Sequence, residues 1–307
     1  MTQYLQHLLN LTLAIDLYAI REIDFMKAER PIVSGRQYHI RCAADDVAPY
    51  VLLPGDPARS EKIAGLWGKS HEVASHREYR TFTGVYGGYP ISATSTGIGG
   101  PSCAIAMEEL AVLGCHTFMR VGSTGSIKRE IKCGDLIINT ASVRLDGTSK
   151  QYVRQEYPAS AHHEAVLALI EACECLGLRY HVGVGASSDS FYVGQGRHGF
   201  KNYSQSFSRT LLADMQEANV LNFEMECATL FTLGNLYGLR CGAICAVFAN
   251  RVSDSFDPKG EAEACTAACE AIRILYEWDE VKRAEKKRHF HPRLAIKLKR
   301  NLHERNP

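Results

Sequence analysis

Thr117-Phe118-Met119-Arg120-Val121-Gly122-Ser123-Thr124-Gly125 is a short, largely apolar run that closes on Gly-Ser-Thr-Gly. Such a run reads as a buried strand ending at a turn. The same grammar recurs along the chain. Val51-Leu52-Leu53 ends at Pro54-Gly55-Asp56, and Ile91 to Thr96 ends at Gly97-Ile98-Gly99-Gly100. Leu136 to Thr140, Val182 to Ser187 and Gly242 to Ala249 are further candidate strands. Helical stretches lie among them: Pro101 to Leu113, opened by Pro-Ser, then Ala165 to Leu176, Met225 to Tyr237 and Ala262 to Trp278. Strands separated by helices predict an α/β fold, a single domain with a central mixed, mostly parallel sheet flanked by helices on both faces. In such sheets ligands bind beyond the carboxyl ends of the strands, where these glycine turns fall. Gly199 to Asn219 is polar and aromatic without a clear period, and reads as a long loop with a helical piece.

Composition narrows the function classes. The 307 residues are 46% hydrophobic and 22% charged, which excludes a disordered, collagenous or coiled-coil chain. Mean hydropathy is −0.16, and no apolar run approaches the ~20 residues that a membrane span needs. The net charge of +1 conceals a basic C-terminus: ten Lys/Arg against two Glu from Lys282 onward give +8, leaving −7 on the rest. A body of that sign makes nucleic acid a poor main ligand. The 11 cysteines form no CxxC and no zinc spacing, so they read as small buried hydrophobes of a cytoplasmic protein. Leu5, Leu9, Leu13, Leu17 and Ile20 recur at helical spacing without the marks of a secretory signal. The expected organisation is an N-terminal helical extension (1–37), a main α/β domain (38–280) and a basic tail (281–307).

Several clusters carry chemistry. Gly55-Asp56-Pro57-Ala58-Arg59 follows a strand, where glycine permits close backbone approach and Arg59 offers a rigid fork of donors to an oxyanion. Arg120 ends its strand just before backbone N–H groups and hydroxyls, a second phosphate cradle that lacks the Gly-Lys-Ser/Thr of a P-loop. Gly97-Ile98-Gly99-Gly100-Pro101-Ser102 has Ser102 where a dinucleotide fingerprint wants Gly or Ala, and reads as a structural turn. Glu224-Met225-Glu226 stands at a loop-to-helix transition, with one carboxylate able to face a cleft or both simply favoured by the helix dipole. Phe191 to Arg197 supplies an aromatic ring, the Gln195 amide and a guanidinium, an inventory suited to a planar heterocycle.

Taken in order, the strings LPGDPARSEKIA, ASHREYRTF, STGIGGPSCAIAMEEL, FMRVGSTGSI, TASVRLDG, VGVGASSDSFYVGQGR and NFEMECATL, with Asn250-Arg251, run from about Tyr38 to Trp278. This set resembles the nucleoside phosphorylases of the trimer-or-hexamer type, and among them the members that cleave uridine. The resemblance implies a phosphate site of Gly55, Arg59, Arg120 and Ser123, completed by Arg77 from a neighbouring subunit. It implies ribose contacts from Ser123, Glu224, Met225 and Glu226, and from the neighbour's His39 at the 5′-hydroxyl. It implies a pyrimidine pocket of Phe191, Gln195 and Arg197, lined by Phe248 and Arg251, and a monovalent-cation site of Glu78, Ile98 and Ser102 at a dimer interface. Arg120, Glu226, Gln195 and Arg197 would carry the reaction.

Asn250 stands where purine-cleaving members carry Asp, and an amide cannot protonate a purine ring. Ser123 stands where the bacterial uridine enzymes have Thr, and residues 199–222 depart from their pattern. The expected activity is reversible phosphorolysis of uridine, and of 2′-deoxyuridine, to uracil and the sugar 1-phosphate in pyrimidine salvage. Inorganic phosphate is the co-substrate, no cofactor is required, and the assembly is a homodimer at least, or a hexamer. The alternatives are a purine nucleoside phosphorylase, a nucleosidase, or an inactive partner subunit.

Overall fold

The computed structural model describes residues 28–294. The expected N-terminal amphipathic helix, and the basic tail beyond residue 294, lie outside the described residues. Strands β1 (Ile32–Val33) and β2 (Arg36–Gln37) form a small antiparallel ribbon ahead of the main sheet. That sheet holds eleven strands: β3 (Tyr50–Pro54), β4 (Lys69–His76), β5 (Tyr79–Tyr86), β6 (Tyr89–Thr94), β7 (Thr117–Ser126), β8 (Leu136–Arg144), β9 (Ala159–Ser160), β10 (Tyr180–Ser187), β11 (Asn222–Glu224), β12 (Arg240–Asn250) and β13 (Ser255–Phe256). Seven α-helices alternate with them among the described residues: α1 (Pro57–Ala64), α2 (Gly100–Val112), α3 (Thr148–Tyr152), α4 (His163–Leu176), α5 (Ser206–Glu217), α6 (Cys227–Tyr237) and α7 (Glu261–Ala284).

The sheet is mixed, as the alternation of strands and helices requires. Its centre is parallel, β6–β3–β7–β12 on one side and β8–β10–β11 on the other, and β4 and β5 extend it antiparallel. Strand β7 is the pivot. β12 pairs along its whole length, Thr117 to Ser126. On its other edge β3 pairs with Thr117 to Val121 and β11 with Gly125 and Ser126. The ring β7–β11–β10–β8–β12 therefore closes on itself, while the first half of β7 continues the open sheet. Gly122, Ser123 and Thr124 fall at the fork, between two partners on that edge.

Side chains alternate to opposite faces of β3 and β7. Leu52, Met119 and Val121 pack with α4 and α7, whereas Val51, Leu53 and Phe118 pack with α2 and α6. Arg120 shares the parity of Phe118, so it points toward the starts of α2 and α6. Nine of the eleven cysteines are buried and all are free, as small core residues should be.

The helical piece expected within 199–219 is the 12-residue helix α5. The structure differs from the sequence reading in two places. The Gly-Ser-Thr-Gly segment is not a turn, because β7 runs on to Ser126. The β4–β5 hairpin was not expected, because Lys69, Ser70, His71 and Glu72 are all exposed on an edge strand and show no apolar stripe.

Candidate active site

A cleft of about 1170 Å³ opens where β3, β6, β7 and β12 end. These strands are mutually parallel, so their carboxyl ends meet on one side. Gly55, Arg59, Arg120, Ser123, Phe191, Gln195, Arg197, Met225, Glu226, Phe248 and Arg251 all line it. The turns after β3 and β6 touch there: a Cβ on Gly55 would stand 3.1 Å from the Gly97 carbonyl oxygen. Glycine lets the two backbones meet.

Arg120 sits at the floor, 5% exposed, between two carboxylates. Its Nε donates to Glu224 Oε2 at 2.9 Å and its Nη2 to Glu226 Oε2 at 2.5 Å. Burial works against the guanidinium charge, but Glu226 and Glu224 outweigh it and hold the Arg120 pKa well above its ordinary value. Room for this fork comes from Gly122, where a Cβ would lie 2.8 Å from both Arg120 Nη2 and Cys245 Sγ. Arg59, 6% exposed, donates to the Val121 carbonyl (3.0 Å) and pairs with Glu261 (3.2 Å) at the start of α7. Its buried Nε has no hydrogen-bond partner. Two buried guanidinium groups thus flank the fork of β7 where Ser123, half-buried, faces the cleft. The Thr124 hydroxyl is not part of this cradle, for it donates to the Phe223 carbonyl at 2.6 Å.

The two carboxylates of Glu224-Met225-Glu226 have different tasks. Glu224 accepts from Arg120 Nε, the Ser187 hydroxyl, and the backbone N–H groups of Glu226 and Cys227. A carboxylate has about four lone-pair sites, so Glu224 is saturated by the protein. Glu224, which also lines the cleft, fixes Arg120 and closes the N-terminus of α6. Glu226 accepts from Gly99 N–H (2.6 Å), from Arg120 and from the Met225 backbone N–H, fewer donors than Glu224 has. Burial raises its pKa, Arg120 opposes the rise and Glu224 adds to it. Met225, between them, is half-buried on the wall.

At the other end, Arg197 stacks over the Phe191 ring at 4.0 Å and donates to Gln195 Oε1 at 2.5 Å. Arg251 donates to the Gln195 carbonyl at 2.8 Å. Burial and then the Arg251 charge pull the Arg197 pKa down to about 10, and burial lowers that of Arg251. Two confined positive charges at neutral pH make this end receptive to an anion. Phe248 reaches the cleft through a β-bulge: Val247 pairs with Thr124 and Ala249 with Gly125, leaving Phe248 as the extra residue. No sequence pattern marked that bulge.

Asn250 is not a free reader of a base. Its Nδ2 donates to the carbonyls of Lys128 (2.8 Å) and Ile131 (2.6 Å), and its Oδ1 accepts from Val252 and Ser253 N–H. The amide clamps the loop after β7 to the end of β12.

His39 and Arg77 lie outside this chain's own cleft. His39 Nδ1 meets Glu109 Oε1 at 2.6 Å. Exposed Arg77, at a left-handed φ of 55°, donates to the Tyr38 hydroxyl at 3.4 Å. Glu78 and Ser102 gather around Gly97, and the Ser102 hydroxyl donates to the Ile98 carbonyl at 3.3 Å. The sequence reading missed Glu261, the partner of Arg59, and the β13 residues Ser255 and Phe256 that line the cleft mouth.

Residues 49–276 match the profile of the phosphorylase superfamily. The chain belongs to that superfamily. It is 62% identical over 269 residues to a uridine phosphorylase of Thermococcus kodakarensis, covering 87% of this chain and 97% of that protein. A uridine phosphorylase of Escherichia coli is 44% identical over 245 residues, 78% of this chain and 95% of its own. A guanosine phosphorylase of Halorubrum lacusprofundi is 39% identical over 218 residues, 71% and 85% respectively. No described helix is long and apolar enough to cross a membrane.

Proposed function

We propose that this phosphorylase catalyses reversible phosphorolysis of uridine to uracil and ribose 1-phosphate. The observation that carries the reading is the order of charges in one cleft: buried guanidinium groups at the β7 fork, a carboxylate beside them, and two confined arginines at the far end. The names of the relatives at 62% and 44% identity support it.

Phosphate is held by Arg59, Arg120, Ser123 and backbone near Gly55, with Arg77 reaching in from a second subunit. Glu226, less fully occupied than Glu224, has acceptor capacity for the ribose hydroxyls. Met225 packs on the sugar. As the glycosidic bond loosens, positive charge grows on the ribose and negative charge on the base. Clamped phosphate faces the first, and the Gln195–Arg197 pair, backed by Arg251, receives the second. This is positioning plus electrostatic preorganisation, with no covalent nucleophile. Water needs no anion clamp, so the buried arginines favour phosphorolysis over hydrolysis. 2′-Deoxyuridine fits the same base and phosphate contacts. A monovalent cation at Glu78, Ile98 and Ser102, and assembly into dimers or hexamers in the cytoplasm, complete the reading.

Base choice rests on the polar edge offered by Gln195 and Arg197. Competition between uridine and guanosine or inosine tests it. We expect kcat/KM to favour uridine by at least about 100-fold. Comparable turnover of a purine nucleoside would contradict the base assignment.

A further inference from the structure

Glu109 lies on the third turn of α2, 9% exposed, far along the helix from the cleft end at Gly100. Its carboxylate accepts from the backbone N–H groups of His39 (3.1 Å) and Ile40 (2.9 Å), and it meets the His39 ring Nδ1 at 2.6 Å. An ionised carboxylate only accepts, so against it Nδ1 is the nitrogen that carries the proton in that contact. Nε2 is then the ring atom left for a ligand. The His39 carbonyl is itself bound by His76 Nδ1 at 2.9 Å, which ties the segment to the β4–β5 hairpin next to Arg77.

We infer that Glu109 is a positioning residue: it sets the tautomer and direction of His39, and through them the recognition of the sugar 5′-hydroxyl in the neighbouring subunit's cleft. The inference rests on the reading of His39 as the 5′-hydroxyl contact. A carboxylate that only braced the fold would need the two backbone bonds and no ring contact. The short ring contact adds control over which imidazole nitrogen carries the proton, as an orienting group does for a metal-bound or catalytic histidine.

The test compares uridine with 5′-deoxyuridine, which lacks only the hydroxyl in question, in the full-length wild type and in Glu109→Gln, Glu109→Asp and His39→Ala. In Glu109→Gln the amide can donate to Nδ1 and reverse the tautomer. We expect it to lose about tenfold in kcat/KM for uridine and to keep its rate on 5′-deoxyuridine within about twofold. Glu109→Asp, which keeps the charge but shortens the reach, should lose less, again on uridine alone. Turnover of 5′-deoxyuridine also reports that each variant folds and assembles. His39→Ala should show the same uridine-specific loss, and adding Glu109→Gln to it should change nothing further. Equal losses on both substrates in Glu109→Gln and Glu109→Asp would overturn the positioning role while leaving His39 in place. An unchanged substrate ratio in His39→Ala would overturn the reading of His39, and the inference with it.

Discussion

Arg120 shows how much one side chain depends on its surroundings. Its companionship with Arg59 and Glu226 was implied by the family resemblance, whereas its place in mid-strand was not legible, because β7 runs past the glycines to Ser126. The division of labour between Glu224 and Glu226 was not legible. It depends on Ser187, brought in from β10, and on the backbone N–H groups at the start of α6, which saturate one carboxylate and leave the other with capacity. Asn250 makes the same point. Its identity signalled the lack of an acid, but its four hydrogen bonds reveal a structural clamp. Asn250→Asp would set a buried carboxylate against two carbonyl oxygens. We expect a loss of about 3 kcal/mol in unfolding free energy with no gain of inosine cleavage. A variant of wild-type stability that turned over inosine would restore the base-reading role to this position.

At the scale of elements, the buried strands and amphipathic helices could be read directly, since their apolar runs have no other place to go. What escaped were elements whose signal is tertiary: the edge hairpin β4–β5, the continuation of β7 past Val121, and the bulge at Phe248. A further tertiary feature is the charged network that fastens α7 to α4 and β12. Glu164, 2% exposed, accepts from Arg240 (3.0 Å), Lys282 (2.6 Å) and Phe290 N–H (2.8 Å). Asp279 pairs with Arg240 (2.6 Å) and Lys282 (2.8 Å). Burial would raise both carboxyl pKa values, but Lys282 and the Phe290 N–H for Glu164, and Arg240 for Asp279, bring them below their ordinary 4.5 and 3.8. A carboxyl depressed in the folded state stabilises the fold above its ordinary value and loses that contribution as pH falls through the folded value. Glu164→Gln should therefore cost about 3–5 kcal/mol near pH 7. The gap between its thermal midpoint and that of the wild type should narrow as pH falls below 4.5. A gap that stays constant over this fall would show that the network contributes nothing through ionisation.

At the scale of the molecule, the cleft of one chain is incomplete in the proposed reaction, because His39 and Arg77 point away from it. Their surroundings on the β4–β5 hairpin and the segment before β3 mark the face where a second copy should sit. Subunit mixing separates this from an isolated monomeric site. Arg77→Ala and Arg120→Ala should each be nearly inactive alone. Co-expressed in equal amounts they should regain about a quarter of the wild-type sites, because half of random dimers are mixed and each mixed dimer holds one intact cleft. No recovery would place Arg77 in its own chain's site or outside the reaction.

The most direct measurement is uracil release from uridine, followed by ultraviolet difference absorbance, with and without inorganic phosphate. The charge order of the cleft predicts release that depends on phosphate and yields ribose 1-phosphate in equal amount. Release at the same rate without phosphate, giving free ribose, would contradict it and leave the buried arginines without their ligand.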